Sequence, residues 1–546
     1  MDPLSKSTDA ANTGLNFAMT CQELHRNMIR ELPPELLTNI FSWASGLSGR
    51  YHMDTRSSEP YVPRLQIMAR VCRTWREIIE GTPALWAFIT DQDKASAIMA
   101  LNRSQSHPIG LSFGDKRIDE ALYTKVLNHS HRWIRASIQV RRRDEEKALQ
   151  RLEEVNMPIL QHLALGIPAW DRRPFVLDLF RDHPPQLTSL TLIKVAMRRW
   201  DAPVFGPRLR ELKLMRIHTS GPTRENLHSI LYACPELAHL ELETVALSNE
   251  TNELLPRRPP VQLPLLRTLV LKQLSPADAI DVLRMAETPY CNSCTISIES
   301  ENMDSMMFSR VVEQIQQPFK ACINSCRILE IHLHNSTIHI ICRNDRSPSS
   351  DFDLKLGWGD SNEKVLDWLD NMFLVRRPPL SPLPIHPEFT DSDSSSSSPF
   401  NLLQLPDVRS LTITDLHGWT NHLAEALSTP RNSENGCAVW MWPSLREVTI
   451  GPFKGSSEAL LHMFETRGEA ASHPPGTEGI GTIAMLERVE VREKVFTLEE
   501  IETIRAVVRD VVISTPPGQH QSFQSTRHFF GYLLAPHQTW SQEGPI

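Results

Sequence analysis

The stretch PRLRELKL, residues 207–214, decides how this chain is read. It runs proline, any residue, aliphatic, two of any, aliphatic, any, aliphatic, so its second half alternates as a half-buried strand does. The same pattern stands as PILQHLAL from residue 158, PQLTSLTL from 185, PELAHLEL from 235 and PLLRTLVL from 264. It returns as PDVRSLTI from 406 and PSLREVTI from 443. Chance yields roughly half of one such match in a chain of this make-up, against seven found. Two more copies lack the proline, CRILEIHL from 326 and AMLERVEV from 484, and the first puts Cys326 in the proline slot.

From 158 to 264 the copies start 22 to 29 residues apart, a period and phasing that resemble the strand segment of leucine-rich repeats. That family would place Asn or Cys three residues after the last aliphatic. Here Val195, Ile217, Val245, Leu274, Leu416 and Phe453 stand there, so apolar packing must replace an amide ladder. Between the strands, SPADAIDVLRMAETP has Ser275 as N-cap, Pro276 at the first helical position and Asp278 at N3. TLEEIETIRAVVRDVV carries a Thr497-x-x-Glu500 capping box, and TRENLHSILYACP, SNEKVLDWLDNMF and SSEALLHMFETRG have helical spacing. The expected fold is α/β: a small all-helical N-terminal domain, then an irregular leucine-rich-repeat solenoid. Its parallel strands would form the concave face and its helices the convex one.

The expected organisation is an N-terminal extension over 1–27 and a helical domain over 28–90 with a polar insert at 44–63. The solenoid then spans 91–515, and a flexible tail covers 516–546. The stretch 376–400, proline-rich and then serine-rich and acidic, cannot bury a core and is expected to loop out, as is 343–351.

The 57 basic and 65 acidic residues, net −8, leave no basic stripe, which argues against a nucleic-acid partner. Arg141-Arg142-Arg143 runs straight into Asp144-Glu145-Glu146 and reads as a solvated helix start. The first residues lack a basic flank with an apolar core, and no run nears the ~18 apolar residues of a membrane span. Nine cysteines, an odd number, read as reduced thiols, which places the chain in the cytoplasm or nucleus.

A second decisive stretch is LPPELLTNIF at 32–41, with VCRTWREI at 71–78 and TPALW at 82–86. Pro33 and Pro34 start a helix whose Leu36, Leu37, Ile40 and Phe41 make a broad apolar face. Leu65, Ile67, Met68, Val71, Cys72, Trp75, Ile78 and Ile79 follow at helical spacing. So few residues cannot bury that much apolar area internally, so part of it should be a docking face; the alternative is a cap on the first repeat. These residues resemble an F-box, over Ile29 to Ile89. The resemblance implies docking onto a Skp-type adaptor and, through it, a cullin. Leu32, Pro33, Leu36, Ile40, Val71, Cys72 and Trp75 would make or support that contact. Phe41 and Val71 stand 30 positions apart, wider than a compact F-box, and if the insert packs on the docking face the adaptor is blocked.

Cys291-x-x-Cys294 with Cys322-x-x-x-Cys326 has the composition of a zinc site, but buried thiols in repeat positions explain it better. His332 and His334 share one side of a strand and make only half a metal site. GPFKGSS at 451 lacks phosphate-loop spacing, and no G-x-S-x-G elbow occurs. No catalysis, cofactor or metal is therefore expected. In the repeat strands the residues between the aliphatics face away from the core: Thr191, Lys213, Glu241, His332, Thr412, Thr449 and Glu490, with Glu211, His239, Glu330, Glu447 and Arg488 beside them. Of these, Lys213, Glu241, His239, His332, Arg488 and Glu490 are the candidate target-binding residues. The expected function is the substrate-recognition subunit of a Skp–cullin–F-box ubiquitin ligase, and the alternative is a repeat scaffold without ubiquitin transfer.

Overall fold

The fold is described from a computed structural model over residues 32–45, 61–114, 118–140, 146–167, 175–180, 186–201, 204–247, 258–300, 310–311, 314, 327–334, 337–343, 351–358, 408–415, 420–432, 438–440, 442–453, 457–472, 483–492 and 496–514. The chain forms two compact units, Met1–Arg257 with Val261–Leu263, and Arg258–Pro260 with Pro264–Ile546.

The first unit opens with three helices, α1 (Pro34–Ala44), α2 (Tyr61–Met68) and α3 (Arg73–Gly81), and a 3-10 turn at Pro83–Trp86. A parallel sheet follows: β1 (Phe88–Thr90), β2 (Ile109–Phe113), β3 (Trp133–Gln139), β4 (His162–Gly166), β5 (Ser189–Ile193), β6 (Glu211–Met215) and β7 (His239–Glu243). Spatial order equals chain order, so each strand is laid beside the one before it. β4 to β7 come from the four copies at 158, 185, 207 and 235, and their inward leucines, such as Leu190, Leu192, Leu212 and Leu214, are fully buried. Burying each contributes roughly 1.5–3 kcal/mol. β1, β2 and β3 carry no copy of the pattern, and β1 begins at Phe88, inside the span assigned from sequence to the helical domain.

What replaces the missing amide ladder is a row of main-chain hydrogen bonds. After β3, β4, β5 and β6 the chain donates one N–H to the last carbonyl of the next strand. The bonds run Val140 to Gly166 (2.8 Å), Ile167 to Ile193 (3.0 Å), Lys194 to Met215 (2.8 Å) and Arg216 to Glu243 (2.6 Å). Lys194, Arg216 and Thr244 sit at φ near +57°, +58° and +55°, in the left-handed region, although none is glycine. That turn drives Val195, Ile217 and Val245 inward, where each is buried, as expected for the apolar residues standing in the Asn slot. The conformation costs roughly 1–2 kcal/mol per residue, so burial and the ladder bond must offset it.

The second unit carries β8 (Thr268–Lys272), β9 (Ser293–Ser300), β10 (Ile328–His334), β11 (Thr337–Arg343), β12 (Asp351–Trp358), β13 (Ser410–Asp415), β14 (Glu447–Phe453), β15 (Arg488–Arg492) and β16 (Asp510–Ser514). Gln273, at φ near +52°, repeats the turn, its N–H on Ser297 O at 2.6 Å. Ser275 caps the helix Pro276–Met285, and Thr497 and Glu500 form the capping box of the helix Leu498–Val507, both as read from sequence. The helix Ser457–Ser472 also forms, as does Arg224–Ala233 in the first unit.

Two expectations are corrected here. The strands are not all parallel: β11 runs antiparallel between β10 and β12, so these three form a meander inside an otherwise parallel sheet. The copy placed at 326 is also out of phase. Ile328 pairs with Ser410, Glu330 with Thr412 and His332 with Thr414, so Leu329 and Ile331, not Ile331 and Leu333, match the last two aliphatics of the copy at 406. Strand alternation has period two, so this segment fits the template in either of two phases and only the pairing decides. The expected helix SNEKVLDWLDNMF and the inserts at 376–400 and 344–350 lie outside the described residues.

Candidate functional site

Helix α1 begins without a side-chain cap: Pro33 is extended, its carbonyl accepts from Leu36 and Leu37, and Pro34 supplies a preset helical φ. Its apolar residues then divide between two faces. Leu37 and Phe41 are buried against the unit, while Leu36, Ile40 and Trp43 are 49%, 45% and 75% exposed. With Leu32, Asn39 and Ala44 these three line an open groove of about 410 Å³.

Phe41 holds α1 to α3, meeting the Trp75 ring edge-on at 4.9 Å between centroids. Beneath them Leu65, Ile79, Leu85 and Trp86 are buried, and the Trp86 indole donates to Ile79 O at 2.7 Å. Arg103 lies over the Trp86 ring at 4.5 Å and bridges to Glu80 at 3.2 Å. The apolar residues from Leu65 to Ile79 divide between two short helices, α2 and α3. Cys72, extended, caps α3 by accepting the Trp75 N–H on Sγ at 3.4 Å. The break leaves Val71 and Ile67 exposed.

Of the seven residues expected to serve an adaptor, Leu32, Leu36 and Ile40 share the groove, and Pro33, Val71 and Cys72 are exposed. Trp75 is half-buried as the partner of Phe41. Sequence reading missed Trp43, three residues beyond Ile40 on the same face, because the motif ended at Phe41. α2 begins at Tyr61, within the stretch expected to loop out, and residues 46–60 lie outside the described set.

The outward face of the first sheet gathers charge. Arg135, His162, Ser189, Glu211 and His239 lie in one row, and Ser137, Ala164, Thr191, Lys213 and Glu241 in the next. Lys213 Nζ reaches Glu211 at 2.9 Å and Glu241 at 3.8 Å, and His239 Nε2 stands 3.5 Å from Glu241. Burial pushes the Glu211 carboxyl up, but hydrogen bonds from Lys213 and Ser189 outweigh it and hold the group below its ordinary range. Burial also lowers the His162 imidazole, with Arg135 adding repulsion.

In the second unit Glu330, His332, His339 and Asp353 form a separate group. His332 and His339 are directly cross-strand, ring centroids 5.8 Å apart, and His339 Nε2 meets Asp353 Oδ1 at 2.7 Å. The hydrogen bond from His332 depresses Glu330 below its ordinary value, helped by Arg343 and against burial. His339 and Asp353 escaped sequence reading because their strands lie in the meander. Arg488 and Glu490 stand together at 3.7 Å, with Arg492 on the same carboxylate at 3.0 Å. The six target-binding candidates therefore fall into three groups, Lys213 with Glu241 and His239, His332, and Arg488 with Glu490.

Cys291 is buried with its Sγ against Ser293 O at 3.3 Å, and burial pushes its thiol up to about 11. A thiol so held stays protonated, which opposes metal binding and nucleophilic chemistry alike. Among the described residues no group of three or more His, Cys, Asp and Glu is placed to hold a metal, and Cys322 and Cys326 lie outside them. Among the same residues no helix is long and apolar enough to cross a membrane.

The domain thus combines a prolyl helix start, an aromatic clamp, a closing Leu-Trp and an exposed apolar α1 face. Residues 29–92 match the F-box-like family, so the chain carries an F-box-like domain there, followed by a large sheet. No curated protein matches the chain. F-box domains generally bind Skp-type adaptors, which suggests a role in ubiquitin ligase complexes of that type.

Proposed function

We propose that this chain is the substrate-recognition subunit of a Skp–cullin–F-box ubiquitin ligase. The observation that carries the reading is the division of α1, with Leu37 and Phe41 buried and Leu36, Ile40 and Trp43 turned to solvent in one groove. Covering three such side chains in a complex is worth several kcal/mol at roughly 1.5–3 kcal/mol each, enough to anchor an adaptor helix. Within each unit the sequential parallel strands fit leucine-rich-repeat stacking, interrupted in the second unit by the meander. A protein target would lie on the outward side of the strands, at the Lys213, Glu241 and His239 group in the first unit, or at His332 or Arg488 and Glu490 in the second.

The role is non-catalytic: the receptor raises the effective concentration of target lysines near the ligase's ubiquitin-loaded partner and needs no reactive residue of its own. It acts in the cytoplasm or nucleus, without nucleic acid, membrane or cofactor. The test is co-purification with a Skp-type adaptor and cullin, wild type beside a Leu36→Asp/Trp43→Ala variant. A stoichiometric complex lost in a variant of unchanged circular dichroism supports the receptor. Adaptor binding without cullin recruitment overturns it in favour of a scaffold, and no adaptor binding makes α1 a cap for the sheet.

A further inference from the structure

One row of outward side chains crosses six strands of the second unit without a carboxylate in it. Lys272 on β8 pairs with Ser297 on β9, Ser297 with Lys355 on β12, and Lys355 with His339 on β11. His339 then pairs with His332 on β10, and His332 with Thr414 on β13. All six are half-buried, while residues that alternate with them, such as Leu271, Ile296, Leu354 and Ile331, are buried. The acids stand in the neighbouring outward row. Asp353 Oδ1 lies 2.7 Å from His339 Nε2, and Glu330 Oε2 lies 3.5 Å from His332 Nε2. Arg343 also holds Glu330, and Asp351 stands opposite Arg343. His332 Nδ1 is 3.3 Å from Thr414 Oγ1, so both of its ring nitrogens face polar groups.

The balance of charge over these rows depends on the two imidazoles. While they are neutral, the cations Lys272, Lys355 and Arg343 match the carboxylates Asp351, Asp353 and Glu330. Glu330 is held below its ordinary range, so its charge does not change near neutrality. Histidine is the side chain whose charge ordinarily changes between about pH 5 and 8, so mild acid adds positive charge here and removes no negative charge. Four cations then share one row, two of them on rings with centroids 5.8 Å apart. Six strands at about 4.8 Å place Lys272 and Thr414 roughly 24 Å apart, the length of about seven extended residues. We infer that this row seats an extended acidic segment of the target protein, and that protonation of His332 and His339 tightens the grip as pH falls. The inference rests on the receptor reading only in taking this sheet face as the target side.

The experiment titrates a fluorescein-labelled octaglutamate peptide against the full-length chain by anisotropy, at about pH 7.5 and about pH 5.5. Wild type should bind roughly fivefold or more tightly at the lower pH. A His332→Gln/His339→Gln variant of unchanged circular dichroism should lose that gain, and His239→Gln, in the first unit, should keep it. Lys355→Ala, which leaves both imidazoles in place, should weaken binding at both pH values and keep their ratio. Equal affinity at the two pH values overturns the proposal. So does a full gain in the double variant, which makes it a general effect of the chain's other histidines. Tighter binding of octalysine than of octaglutamate at the lower pH also overturns it, since Asp353 and Glu330 then set the charge of the partner. Co-purification with the adaptor should be the same in the double variant as in wild type, so failure of this proposal and failure of the receptor reading are seen separately.

Discussion

Phe41 and Trp75 meet edge to face at 4.9 Å, an interplanar angle of 63°, and this contact locks α1, which presents the exposed groove residues, to α3. The groove and its foundation are thus carried by different side chains of one apolar motif. Phe41→Ala should destabilise the first unit by about 3–5 kcal/mol, read as a fall in its urea midpoint. Leu36→Asp and Trp43→Ala should each move stability by less than about 0.5 kcal/mol, as exposed substitutions do, while lowering adaptor affinity at least tenfold by titration calorimetry. Trp75→Ala would confuse the two effects, which makes it the poorer probe.

Thr244 is the costliest of the left-handed turns, because its branched Cβ crowds a φ of +55°. Asn tolerates this region with a smaller penalty. Thr244→Asn should stabilise the chain by about 0.5 kcal/mol, reported as a higher thermal midpoint. Thr191→Asn, in the body of β5, should act the other way, since a strand favours the branched residue.

The strands of the repeats were legible because aliphatic spacing and burial share one cause, and all nine copies lie on strands. The short strands before residue 158 were not, since stretches such as IGLSF at 109–113 lack the proline and the first aliphatic that make the pattern specific. The reversal at β11 left no local mark: TIHI in STIHIICR alternates in either direction, and only closure against β10 and β12 sets it. On α1 the periodicity showed a broad apolar face, yet which half turns inward depends on Trp75, 34 residues further on. The break at Cys72 was hidden because no glycine or proline marks it and cysteine is an uncommon cap.

Acid should weaken the first unit in a defined window. The His162 imidazole has a folded-state pKa below its ordinary value, chiefly through burial, so protonation is easier in the unfolded chain. The stability this contributes is present above the unfolded value of about 6.5 and is lost as pH falls from there through the folded pKa. The urea midpoint should therefore drop between pH 7 and 5, and His162→Gln should flatten part of that slope. Glu330, depressed by His332 and Arg343, adds a separate loss in the second unit only below about pH 4.5. A slope unchanged in His162→Gln would mean that another group, such as His129, whose imidazole burial also lowers, dominates.

Arg467, only 1% exposed, is the largest cation in the core of the second unit. Its guanidinium donates to Trp442 O at 2.9 Å and Leu427 O at 3.5 Å, joining the end of the helix Thr420–Ser428 to the turn that precedes β14. Burial pushes its pKa down to about 10, so the group remains charged at neutral pH and its donors stay in place. Arg467→Ala should cost about 3–5 kcal/mol, since it opens a cavity and strips donors from buried carbonyls, each roughly 1–3 kcal/mol to leave unmade. Arg467→Lys should recover only part, because one ammonium cannot span two carbonyls set for a planar fork. Arg467→Met should fall between Ala and wild type, filling the volume and removing the buried charge without restoring the bonds. Urea unfolding of the three variants separates these contributions, and an Arg467→Ala chain within about 0.5 kcal/mol of wild type would show that the carbonyls find other donors.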